Sequence, residues 1–126
     1  MAAAATYREI PFNYTSADDR LVVVHLLGEQ TWERLEALRS RRVTGRSARL
    51  LFRVVGAVFI HRRNAFLFQE LVDSAPRRRR LFRSLAADLE AVERAAGEPL
   101  VHEVLAASRA LVGDFEREVA GAAAER

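Results

Sequence analysis

Between Leu50 and Ile60 nearly every residue is apolar: Leu50, Leu51, Phe52, Val54, Val55, Ala57, Val58, Phe59 and Ile60, interrupted by Arg53 and Gly56. At helical spacing these side chains occupy almost every direction around the axis. Only Arg49 and Arg53, one turn apart, share a polar side. A helix apolar nearly all round must be covered by other elements. The chain is therefore expected to be a bundle built about this stretch. Ser47 is placed to cap its amino end, since a serine hydroxyl accepts from an amide one turn in. His61, Arg62 and Arg63 follow its carboxyl end.

The glycine in the middle leaves two readings. Gly56 either admits a close neighbour within one continuous helix or breaks it. In the second case 57–61 is a short buried strand.

The remaining elements follow from caps and periodicity. Tyr7–Thr15 contains Pro11 among aromatics and reads as an extended segment on the bundle surface. Ser16 with Asp19 resembles a capping box, and Gly28 is a helix stop, which gives a helix over 17–27. The valines at 22–24 favour a strand there instead; the cap, the stop and the length favour the helix. In Glu29–Arg42, Trp32, Leu35 and Leu38 recur at helical spacing. Its acids come early and its arginines late, as the helix dipole prefers.

Ala65–Val72 makes a short helix. Asp73-Ser74-Ala75-Pro76 opens another, with Pro76 at its first position. Arg77–Ala96 places Leu81, Leu85, Leu89 and Val92 on one face, and Gly97 ends it. Leu100–Val119 carries the apolar stripe Val101, Val104, Leu105, Leu111, Val112, Phe115 and Val119. The last two helices form an αα-hairpin. The fold class is mainly α, with five or six helices around a buried central one. Residues 1–15 are an extended segment, 16–120 a single helical domain and 121–126 a tail.

The chain has 126 residues and no cysteine. Disulfides, thiolate metal sites and thiol catalysis are excluded within it. His25, His61 and His102 lack ligand spacing on one helix. No nucleophile elbow or glycine-rich phosphate loop occurs. No secretory signal and no membrane-spanning run is present, so a cytoplasmic location is expected.

All 20 basic residues are arginine, and their placement is uneven. From Arg39 to Arg83, 13 arginines stand against Glu70 and Asp73, a local +11. From Ser84 onward, four arginines stand against nine acids, a local −5. Arg77, Arg78, Arg79 and Arg80 open a helix, where positive charge opposes the dipole. Because four in succession circle the axis, they gain the fold little and suggest an anionic partner. The turn Thr44-Gly45-Arg46-Ser47 could bind an anion at a helix start, and equally serves as a turn and cap. A basic helical nucleic-acid-binding module is an alternative reading, opposed by the acidic last third. A small enzyme with a cleft at the Thr44–Ser47 turn is a third.

Several blocks together carry a family resemblance: R-E-I-P-F-N-Y-T-S with Asp19-Arg20, Leu26-Leu27-Gly28-Glu29, Leu38-Arg39, V-T-G-R-S-A-R at 43–49, Leu51, Gly56 and Arg62-Arg63-Asn64. This pattern resembles the N-terminal domain of very large bacterial FAD-linked oxidoreductases of the D-lactate dehydrogenase/glycolate oxidase type. The likeness covers most of 7–119. Where that family tends to read Asn-Pro-Tyr, this chain has Asn64-Ala65-Phe66. The resemblance implies a non-catalytic accessory domain that docks on flavin and iron–sulfur modules. FAD and the cluster would lie in those modules, and no cofactor or catalytic residue is implied within this chain. The chain is then an excised domain or a free-standing relative. Its contacts would be the docking segment Asn13, Tyr14, Thr15 and Ser16, and the anion- or partner-binding set Thr44, Gly45, Arg46, Ser47, Arg49, Arg62, Arg63, Asn64, Arg77, Arg78, Arg79 and Arg80.

Overall fold

The computed structural model describes residues 21, 24–40, 46–95 and 99–125. The extended segment 1–15, the cap at Ser16–Asp19, Arg41 and Arg42, the Thr44–Gly45 turn and the Gly97 stop lie outside these residues. So do the side chains of Leu35, Leu38, Arg39, Ser40, Arg46 and Ala48. All regular structure among the described residues is helical. A helical stretch at 24–27 leads into α1 (Glu29–Ser40), α2 (Arg46–Arg63), α3 (Ala65–Asp73), α4 (Ala75–Ala95) and α5 (Pro99–Ala124). No helix among them is long and apolar enough to cross a membrane.

The central element is α2. Leu50, Leu51, Val54, Val55, Ala57, Val58, Phe59 and Ile60 are all buried, several completely. It packs against α3, α4 and α5, while α1 packs on α5. Each of the leucines, valines, Phe59 and Ile60 contributes about 1.5–3 kcal/mol on full burial. Arg49 and Arg53 mark its solvent side.

The strand considered at 57–61 does not form. Helix α2 runs unbroken through Gly56 to Arg63. A lone strand in this core would leave its amides and carbonyls without partners, whereas a helix satisfies them internally. The helix ends at Asn64, whose side-chain amide donates back to the Ile60 carbonyl at 3.1 Å. At its amino end α2 begins with Arg46, so Ser47 lies inside the first turn rather than capping it, and is buried.

Gly28 acts as the expected stop. Its φ of 84° is left-handed, and its amide donates to the Val24 carbonyl at 2.7 Å. Glycine adopts that conformation without the steric penalty of a Cβ. Trp32, buried one turn into α1, anchors that helix to the core.

Ser74 both closes α3 and opens α4. Its amide donates to the Glu70 carbonyl, and its hydroxyl accepts from the Arg77 amide at 3.3 Å. Ala75 rather than Pro76 is the first helical residue; Pro76 still falls in the first turn, where its missing N–H would have had no intrahelical acceptor. At the far end, α5 continues through the expected tail to Ala124. Ala120, Ala122, Ala123 and Ala124 favour helix, and Ala122 and Ala123 pack against the core. The Phe82–Phe115 contact and the Arg109–Glu93 ion pair join α4 and α5 as an antiparallel hairpin.

Candidate functional site

The end of α2 converges on Phe115, which is fully buried on α5. Phe82 meets it edge-on with ring centres 5.4 Å apart, and Phe68 from α3 lies at 6.2 Å. The His61 ring stacks on it at 6.3 Å. The Arg62 guanidinium sits 5.5 Å from the same ring centre. Its Nη2 also donates to Glu118 at 2.7 Å, one turn beyond Phe115. Arg63 stacks over Phe59 at 5.0 Å. Three cationic or imidazole side chains in the last turn also suit the negative end of the helix dipole.

His61 is buried, and neither ring nitrogen has a hydrogen-bond partner among the described residues. Burial lowers its pKa from the ordinary value, and the Glu70 carboxylate opposes part of that shift. Glu70 is itself held by Arg77. Among the described residues no group of three histidines or acids could hold a metal ion; His25 and His102 are exposed and distant in sequence.

The expected anion-binding residues divide into two sets. Arg62 is taken by Glu118 and Phe115, and Arg77 by Glu70. Arg78 donates to the Val72 carbonyl and, at 3.5 Å, to that of Leu71. It thereby satisfies acceptors that the end of α3 leaves open. The view that the arginine run gives the fold little is therefore corrected for Arg77 and Arg78. Both fold back onto α3 and hold the α3–α4 corner.

Arg79 and Arg80 face outward, joined by Arg83 one turn on. With Arg49 and Arg53, they make no side-chain ion pair or hydrogen bond among the described residues. Arg83 was not expected as a contact residue, although its spacing of four from Arg79 puts the two on one face. The Phe115 junction was also not anticipated. Phe115 reads from sequence only as one member of an apolar stripe, and nothing in the letters says which side chains meet it.

Thr44 and Gly45 lie outside the described residues, as do Asn13, Tyr14, Thr15 and Ser16. Ser47 is buried, and Asn64 is engaged by the end of α2. The outward arginines form two places rather than one. Phe115 ties Phe82, and hence Arg79–Arg83, to the His61 end of α2. Arg53 and Arg49 lie eight and twelve residues back along that helix, roughly 12 and 18 Å away along the axis.

Neither the curated proteins nor the solved structures include a match to this chain. The model of one family, described as "Protein of unknown function (DUF3683)", matches residues 5–117. As that span takes in nearly all of the bundle just described, the chain belongs to this family.

Proposed function

We propose that this chain is a non-catalytic docking domain that associates with the flavin and iron–sulfur modules of an FAD-linked oxidoreductase. The observation that carries the docking part is the set of outward arginines, Arg49, Arg53, Arg79, Arg80 and Arg83, which make no side-chain ion pair or hydrogen bond among the described residues. Positive charges so placed repel one another and favour an anionic surface from outside. The choice of partner is supported by the sequence resemblance carried by V-T-G-R-S-A-R at 43–49 and Arg62-Arg63-Asn64. On this reading the aromatic junction at Phe115 is structural: it sets the direction of the helices that bear the arginines.

The test is to mix the purified chain with separately purified flavin and iron–sulfur modules. Size-exclusion chromatography with absorbance detection then follows both components. The expected result is co-elution, with all flavin absorbance contributed by the modules. Separate elution at low ionic strength would overturn the reading.

A further inference from the structure

We infer that Arg79, Arg80 and Arg83 are a carboxylate-reading patch whose occupant is an acidic α-helix on a partner protein. The inference rests on the docking reading above and names the chemistry of the partner.

The patch is short and one-sided. At about 100° per residue, positions 79, 80 and 83 fall within roughly a third of the circumference of α4. The run that opens this helix is sorted by its surroundings: Arg77 and Arg78 turn back onto α3, while Arg79 and Arg80 remain exposed. Arg83 extends the exposed side by one turn. From Arg79 to Arg83 the axial rise is about 6 Å. Carboxylates three or four residues apart on a helix are spaced by about 5–6 Å. The two spacings match, and a guanidinium fork can take a carboxylate in two parallel hydrogen bonds.

The charge on the neighbouring segment of α5 argues against a long polyanion. The hairpin brings the segment of α5 after Phe115 alongside the first turns of α4. That segment exposes Glu116 and Glu118, and Glu118 is held by Arg62. Arg117 in the same segment is tied to Asp114. A duplex carries one charge per about 1.7 Å of axis, so its phosphates would run on from the arginines against these carboxylates. The two arginines on α2, Arg53 and Arg49, lie about 12 and 18 Å back along that helix from His61 and do not lengthen the patch. A single acidic helix face meets the arginines and stops.

The probe is an alanine-based helical peptide bearing three glutamates at four-residue spacing, followed by fluorescence anisotropy against the full chain. A peptide with glutamine in the same places and a short DNA duplex are run beside it. The expected result is that the glutamate peptide binds, the glutamine peptide does not, and the duplex binds more weakly. The triple variant Arg79→Ala, Arg80→Ala, Arg83→Ala should lose roughly tenfold or more in affinity, whereas Arg49→Ala with Arg53→Ala should retain binding. Equal binding of the peptide by the triple variant, or tighter binding of the duplex, overturns the assignment. The triple variant is also mixed with the flavin and iron–sulfur modules. If the parent and the triple variant co-elute equally well, the patch assignment fails and the docking reading stands. If the parent does not co-elute, the docking reading fails whatever the peptide does. Circular dichroism confirms that the variants keep their helix content.

Discussion

The guanidinium of Arg78 donates to the backbone carbonyl of Val72, six residues earlier and in the preceding helix. A charged side chain thus finishes the hydrogen bonding of a helix to which it does not belong. Its neighbour Arg79 points to solvent. Two adjacent and identical residues therefore contribute unequally to stability: one holds the corner and the other is near neutral.

Replacing Arg78 by alanine should lower the free energy of unfolding by roughly 1–2 kcal/mol, as loss of a charge-assisted hydrogen bond to a part-buried carbonyl does. Replacing Arg79 should change it by less than about 0.5 kcal/mol. Urea titrations of the two variants compare them directly. An Arg78→Ala midpoint equal to that of Arg79→Ala would mean the carbonyls ending α3 are satisfied without it.

His61 makes the bundle sensitive to acid. Its pKa is lowered on folding, chiefly because burial disfavours the imidazolium. The unfolded chain therefore binds the proton more readily than the folded one. The stability present above the ordinary histidine pKa, about 6.5, is lost as the pH falls from there toward the folded value. Glu70 softens the effect by favouring the charged ring. His61→Phe keeps a ring against Phe115 and removes the two unpartnered nitrogens. Thermal melts as a function of pH should show the parent falling below about pH 6.5 more steeply than this variant. Parallel profiles would assign the acid response to other groups.

Phe115 holds the junction together. Truncation to alanine should destabilise by about 3–5 kcal/mol, enough to unfold much of a chain this size. Phe115→Leu should be milder, at about 1.5 kcal/mol or less. With that milder variant, a double-mutant cycle against Arg62→Ala isolates the cation–ring contact. A coupling of roughly 0.5–1 kcal/mol is expected. Zero coupling would mean that Glu118 alone holds Arg62.

Gly28 tests backbone strain without a clash. A Cβ there meets no atom within 4 Å, yet φ is 84°. Gly28→Ala should cost about 1 kcal/mol through the left-handed conformation alone, and Gly28→Asn less. Chemical denaturation of the pair distinguishes strain from crowding, since crowding would penalise asparagine more.

The central helix was legible because Leu50–Ile60 leaves almost no polar face beyond Arg53, and that pattern needs no knowledge of neighbours. Gly28 and Ser74 were legible because left-handed stops and hydroxyl caps are local chemistry. The division within Arg77–Arg80 was not legible. Which of four identical side chains folds inward depends on where α3 lies, and that is fixed by packing. The extension of α5 past Gly121 was missed for a related reason: Ala122 and Ala123 find core to lie against, which a terminal alanine run does not reveal by itself. The stacking of His61 on Phe115 was not legible either, because it depends on where α5 lies.

The joint at Ser74 has no slack. One residue terminates α3 and begins α4, and Arg77 and Arg78 clasp the elbow from the far side. The heading of α4 is thereby set before any encounter. Arg79, Arg80 and Arg83 are rooted on a backbone whose course is already fixed, and an oncoming surface has no linker to straighten before their side chains engage it.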